Sequence, residues 1–590
     1  MRDFLPISKK DLKRRGWSEL DIILVTGDAY VDHPSYGAAL IGRVLENAGF
    51  KVGIIAQPDW RALDDFKRLG RPKLFFGVTA GNIDSMLARY TANKKIRNVD
   101  DYSPGGRALL RPERASIVYA NKLQEAFKGV PVVLGGIEAS MRRLAHYDYW
   151  SDKVRRSLLL DSKADILVYG MGEKQILEIA CRLKDSSGVT GPENISGTVI
   201  ARKSLDGLED YVLIPSFEEI IQDKDAFNAA FKAIYSESDP VSGKAVAQKC
   251  GDRFLVQYPP AQPLTAEEMD RIYALPYMRN WHPAYDKDGG VPGFETVRNS
   301  ITSHRGCLGG CGFCSLHLHQ GRIIQSRGIE SIAGEIAAIA GDRKFRGTIT
   351  DIGGPTANMY MALCPSWEKT GACRNKRCLI PEKCKNLTLG YKHSIRLWSE
   401  LKKIPGVKHV FVGSGVRYDL LIDHYSDKYL HELCASHISG QLKVAPEHCT
   451  GSVLELMNKP QFKVYEKFID RFETVNKRLG KKQYLVNYFI AGHPGARLED
   501  ALELAVYLAK NHIHPEQVQD YIPLPMTLSG SMYYTEKNPL TGKNLYVAKA
   551  QSQRAMQRAL LQYKNPKNRK HVLQALKILR KESLKKLFCV

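Results

Sequence analysis

A chain of 590 residues exceeds what one hydrophobic core can serve, so at least two domains are expected. Its 44% hydrophobic and 25% charged residues are an ordinary globular mixture, and the lack of any run of about 18 apolar residues argues against a helical membrane span. The 86 Lys and Arg against 63 Asp and Glu leave a net charge of +23, enough to attract polyanions or simply to keep a large protein dissolved.

The N-terminus, MRDFLPISKKDLKRRGW, has no apolar run leading to a small-residue cleavage site, so no secretory signal is read and a cytoplasmic location is expected. From Asp21 to about Ala180 short β-branched runs (DIILVTG, KVGIIA, LFFGVT, VPVVLGG, ADILVYG) alternate with helical patterns. That rhythm predicts a doubly wound, Rossmann-like parallel α/β sheet, with Gly27, Asp28, Gly135, Gly136, Gly170 and Gly172 at the carboxyl ends of strands. Between about Ser186 and Trp281 the pattern weakens into a polar, proline-interrupted stretch, read as an insertion and connector closing a first domain at 1–292.

Over 293–561 the alternation restarts, with strand candidates NSITSHRG, GTITDIGG, HVFVGSG, QLKVAPEH, YLVNYFIAG and VQDYIPLP. These predict a partial, six-stranded relative of the parallel β/α barrel, whose strand ends should face one shared cavity. The remaining 562–590 form a basic tail: Lys564 to Lys586 carries nine Lys or Arg and one acid, Glu582. A solvated basic helix or an RNA-binding surface would both look like this.

Seven of the twelve cysteines fall between Cys307 and Cys384, a clustering that points to metal rather than disulfides. RGCLGGCGFCSLHLHQGR sets Cys307, Cys311 and Cys314 on one glycine-rich loop directly after the first strand of the second domain. Electron carriers close a four-iron cluster with a fourth cysteine, whereas three thiolates leave one iron open to an outside chelator. The amino and carboxylate groups of S-adenosylmethionine (SAM) suit that position. Reductive cleavage there would release a 5'-deoxyadenosyl radical.

C-x3-C-x-aromatic-C, with Phe313 as the aromatic, resembles the signature of the radical SAM superfamily, and the wider run SHRGCLGGCGFCSLHLHQGR resembles the YgiQ family within it. The resemblance implies a 4Fe-4S cluster, SAM and a reducing partner such as flavodoxin or ferredoxin. It also suggests that Gly353, Gly354 and Thr356, in the Asp351 to Thr356 motif, meet the SAM amino group, although Pro355 stands where an acid is often found. Ser414 and Arg417 resemble residues that meet the SAM ribose or carboxylate, and a structural salt bridge is a second reading for Arg417. Lys443, Glu447 and His448 close the fourth strand, and Gly492, His493 and Gly495 the fifth, where SAM, substrate or structural contacts are expected. His317 and His319 flank the loop, as donors to cluster or substrate or as packing residues.

Cys364, Cys373, Cys378 and Cys384 form a second set, with Arg374, Lys376, Arg377 and Lys383 to offset thiolate charge. A second iron-sulfur cluster, structural zinc and free thiols all stay open for it. VVLGGIEAS and ADILVYGMGEKQILEI resemble the cobalamin-binding-type domain that precedes many radical SAM cores. The lower-ligand motif is absent, since Asp32 and His33 stand at the wrong spacing before Gly37. A domain that keeps only the fold is therefore preferred over one that binds cobalamin. The readings are a radical SAM enzyme of unidentified substrate, an iron-sulfur electron carrier or redox sensor, and an RNA-binding or RNA-modifying protein.

Overall fold

The computed structural model describes residues 3–185, 193–374, 376–516 and 518–588. They gather into two compact units, Met1–Asn299 with Leu318–Gly321 and Ser300–His317 with Arg322–Val590.

In the first unit β1 (Ile22–Thr26), β2 (Val52–Ala56), β3 (Phe75–Thr79), β4 (Val132–Gly135) and β5 (Ile166–Val168) form a parallel sheet in the order β2-β1-β3-β4-β5. Strands so apolar are stable only when both faces are covered, and every residue of β1 and β2 is buried. Helix Gly37–Asn47 supplies part of that cover through buried Ala39, Leu40, Val44 and Leu45. Strand order reverses beside β1, the position where open α/β sheets make a ligand crevice.

The stretch expected as a connector extends this sheet instead. Four strands, β6 (Thr198–Arg202), β7 (Tyr211–Ile214), β8 (Ala245–Cys250) and β9 (Arg253–Gln257), give nine in the order β7-β8-β9-β6-β5-β4-β3-β1-β2. Their polar residues misled the sequence reading because they are buried and paired. Gln248 accepts from the Ala145 N–H, and Gln257 from Arg143. A bonded buried amide carries little of the penalty that makes polarity a sign of exposure.

In the second unit β10 (Ser300–Thr302), β11 (Thr348–Ile349), β12 (Asp351–Gly353), β13 (His409–Val410), β14 (Gln441–Glu447), β15 (Tyr484–Ala491) and β16 (Val518–Asp520) pair in parallel. A parallel bridge from Val416 to Val444 joins the β13 and β14 segments. With β11 and β12 as one strand interrupted at Thr350, six strand positions follow one another in chain order. Ile301, Ile349, Ile352, Val410, Leu442 and Val444 meet the helices through Ile332, Ile336, Leu397, Trp398, Tyr465 and Phe468.

The basic C-terminal segment packs into this unit rather than hanging free. Val572, Ala575 and Leu576 of helix Arg569–Ile578 are buried with Leu504, Leu508 and Leu560, while Lys570, Lys577 and Arg580 stay exposed. No helix among the described residues is long and apolar enough to cross a membrane.

Candidate functional site

The three-cysteine loop leaves the end of β10 and is clamped by backbone groups of two distant segments. Gly312 N–H donates to the Met457 carbonyl (2.9 Å), and the Gly312 carbonyl accepts from Ser529 N–H (2.9 Å). Asn458 Nδ2 donates to the Gly310 carbonyl at 3.0 Å. Gly306, at φ +86°, passes so near the chain that a Cβ there would sit 2.4 Å from the Ile323 oxygen. A Cβ on Gly309 would lie 3.4 Å from Cys307 Sγ and 3.6 Å from Cys311 Sγ, so both sulfurs flank the same glycine. Burial raises the Cys307 thiol and pushes Cys314 up to about 12. These thiols therefore keep their protons at neutral pH unless a cation draws the thiolate out. Among the described residues no three His, Cys, Asp or Glu groups converge on a single-ion position.

Groups from successive strand ends surround these sulfurs. Arg417, buried after β13, is held by Asp419 at 2.8 Å through Nε and 2.6 Å through Nη2, and its Nη1 reaches Cys311 Sγ at 3.6 Å. The guanidinium thus joins a salt bridge with Asp419 to the three-cysteine loop. Thr356 Oγ1 lies 3.8 Å from Cys307 Sγ. Glu447, at the end of β14, is buried and adopts φ +68°, a left-handed strain for a residue with a side chain. Burial raises its carboxyl, with Lys459 (Nζ 3.4 Å) and Arg417 opposing, and its charge in turn acts on Cys314.

The glycine motif is engaged by the protein's own groups. The Gly353 carbonyl accepts from Ser303 N–H at 2.7 Å. Ser414 is held by the Asp351 carboxylate, which also accepts from Gly413 N–H (2.8 Å) and Ser414 N–H (2.9 Å). Ser414 Oγ lies where a Gly353 Cβ would be, and Lys443 acts on Asp351 electrostatically. A Cβ on Gly354 would fall 2.6 Å from the His304 carbonyl oxygen. Gly492 donates to Gln557 (3.0 Å), away from the thiols. Its neighbour His493 is buried, bonded to the Pro494 carbonyl and Ser529 Oγ, and meets Phe313 edge-on at 6.2 Å.

The structure therefore brings Cys307, Cys311, Cys314, Thr356, Arg417 and Glu447 together. Sequence reasoning missed Lys459, Asp419 and the clamp at Met457, Asn458 and Ser529. Asp419, two residues past Arg417, was the one local signal. Lys459 has none, because only the fold reveals its burial against Glu447.

In the first unit the strand ends are filled differently. Arg111 pairs with Asp28 (2.8 Å) and Asp100 (3.3 Å), all three buried. A Cβ on Gly27 would strike the Ala80 oxygen at 2.2 Å. His33 accepts from Ser35 N–H at Nδ1 and faces Arg279 at Nε2, and Asp32 is taken by Arg43. Both ring nitrogens of His33 are thus engaged by the protein's own groups. His319 belongs with this unit: its Nδ1 lies 2.9 Å from Ser140 Oγ, which donates to Gly136 and accepts from Gly170 N–H.

Residues 4–300 match the family model described as Radical SAM N-terminal, and 516–585 match a domain of unknown function, DUF3362. A UPF0313 protein of Clostridium botulinum (strain 657 / Type Ba4) is 51% identical over 582 residues, covering 99% of this chain and 91% of its own length. A UPF0313 protein of Methanocella arvoryzae is 52% identical over 570 residues, 97% of this chain and 94% of its own. The chain belongs to the UPF0313 family. UPF0313 is the YgiQ-type family of radical SAM enzymes, so the chain is an enzyme of the iron-sulfur and SAM class.

More distant likenesses to solved structures accompany these. TsrM from Kitasatospora setae, a radical SAM methyltransferase solved with cobalamin and a 4Fe-4S cluster, aligns at TM-score 0.49 and 16% identity over 86% of this chain and 73% of its own. OxsB, a cobalamin-dependent SAM radical enzyme with aqua-cobalamin bound, aligns at TM-score 0.47 and 11% identity over 91% and 59%. The donor chemistry of this UPF0313 protein suits an iron-sulfur group: three soft, half-buried thiols on one clamped loop.

Proposed function

We propose that this UPF0313 protein cleaves SAM reductively at a 4Fe-4S cluster held by Cys307, Cys311 and Cys314, at the strand ends of a partial (β/α)6 barrel. When bound, the cluster supplies an electron and an open iron for the SAM amino and carboxylate groups, giving methionine and a 5'-deoxyadenosyl radical that takes hydrogen from an unidentified substrate. The observation that carries the reading is a clamped loop offering three half-buried thiols and no fourth cysteine of its own.

The chain's residues position and insulate. Arg417, fixed by Asp419, places a guanidinium beside Cys311 Sγ. Glu447, tethered by Lys459, presents a carboxyl near Cys314 that can take or give a hydrogen bond. Phe313 and His493 wall the loop from water. Electrons are expected from a low-potential donor such as flavodoxin or ferredoxin.

Anaerobic reconstitution, dithionite reduction and chromatography test this directly. The native protein should convert SAM to 5'-deoxyadenosine, and Cys311→Ala should not; equal yields would sink the assignment and leave an electron carrier or redox sensor. The exposed Lys570, Lys577 and Arg580 favour an RNA partner or substrate as a second reading. RNA affinity that falls steeply with salt, and weakens when these three are replaced, would support it.

A further inference from the structure

The second cysteine set lies in a closed excursion of the second unit. Leu363 and Thr388 exchange both backbone hydrogen bonds at 2.9 Å and form its neck, with Cys364 just inside. Cys384 N–H then donates to the Cys378 carbonyl at 2.8 Å, folding the far end back on itself. Cys364, Cys378 and Cys384 pack with Leu308, Trp367, Leu379 and Leu387, and Cys373 is exposed at the rim. The Cys378 thiol feels the charges of Cys373, Cys364 and Cys384, and none of the four is in a disulfide. Four soft donors, three of them in apolar surroundings and all within electrostatic reach of Cys378, suit a metal group.

Two further observations bear on what this excursion can hold. Arg322 donates to the Cys373 and Lys376 carbonyls, both at 3.2 Å, and acts on Cys378, so positive charge is built into the wall where four thiolates would need it. His317 is 6% exposed, and neither of its ring nitrogens has a hydrogen-bond partner among the described residues. It faces Arg377 and Arg322, the guanidiniums of this same wall. A buried N–H without an acceptor is costly, and an inorganic sulfide would satisfy it.

We propose that Cys364, Cys373, Cys378 and Cys384 hold a second iron-sulfur cluster, fully capped by cysteine, with His317 donating to one of its sulfides. The insertion lies against the first loop, since a Cβ on Gly310 would meet Arg377 Nη1 at 3.4 Å, and Cys307 packs in the same apolar cluster as Cys364.

The test uses the full chain, reconstituted anaerobically with iron and sulfide in the presence of equimolar zinc, then assayed for iron, sulfide and zinc and by EPR after reduction. The native chain should carry about eight irons, and the triple variant Cys307→Ala, Cys311→Ala, Cys314→Ala about four, with an EPR signal indifferent to SAM. Cys373→Ser, a change at an exposed position, should remove that signal and leave the other. His317→Leu should lower the midpoint potential of the SAM-indifferent signal, because a sulfide loses its hydrogen bond. One zinc and no iron in the triple variant, or a native chain with only about four irons, would overturn the proposal. The metal content of the triple variant does not depend on SAM chemistry, so this inference and the proposed function fail separately.

Discussion

Both units present polar groups at the carboxyl ends of parallel strands, yet those groups answer to different partners. In the first unit Arg111 joins Asp28 and Asp100, Arg142 joins Asp84, and Glu138 accepts from the N–H groups of Ser85 and Ser116. In the second, Arg417 is shared between Asp419 and a cysteine sulfur, and Glu447 is strained and meets Lys459 at a long 3.4 Å. Topology puts a crevice at both places. The first unit's carboxylates are taken up by guanidiniums and backbone N–H groups, whereas the second unit's charged groups also reach the thiols.

That contrast can be broken most forcefully at Arg111. Arg111→Met leaves two buried carboxylates unpaired and should cost about 3–5 kcal/mol in chemical unfolding, with deoxyadenosine yield per folded chain unchanged. A folded variant that had lost SAM cleavage would show that the first unit's ion network is part of the reaction.

A comparable effect is expected from pH. Burial lowers His304 to about 4 and His493 to about 3, so the unfolded chain binds these protons first as pH falls from about 6.5. Stability should therefore drop between pH 6.5 and 4, by about 3 kcal/mol for each group, and be fully present above 6.5. His493→Gln should flatten the slope; an unaltered slope would mean that His493 is charged in the fold.

The smallest effect sharpens the comparison. Gly354→Ala forces a methyl against the His304 carbonyl and should cost about 1–3 kcal/mol. If the glycine motif still serves SAM, it should also raise the KM for SAM more than it lowers kcat. A change in thermal midpoint alone would confine Gly354 to packing.

How far the sequence could be read follows from the range of the interactions involved. The cysteine loop was legible because its spacing is local, and each of the six strand candidates of the second unit carries a strand because β-branched runs between helical stretches are local too. Strands β6 to β9 were missed because Gln248 and Gln257 find partners far away in the chain. Arg417 was read as a SAM ligand or a salt bridge, and only the fold brings it onto Cys311. The helix Arg569–Ile578 showed its charge in sequence but not the surface that its apolar side covers.

The central claim is an iron with a free coordination position at the three-thiol loop, and EPR of the reduced, reconstituted protein measured with and without SAM tests it most directly. One component of the spectrum should shift when SAM is added and be missing from Cys311→Ala. A spectrum identical in the presence and absence of SAM would contradict the account.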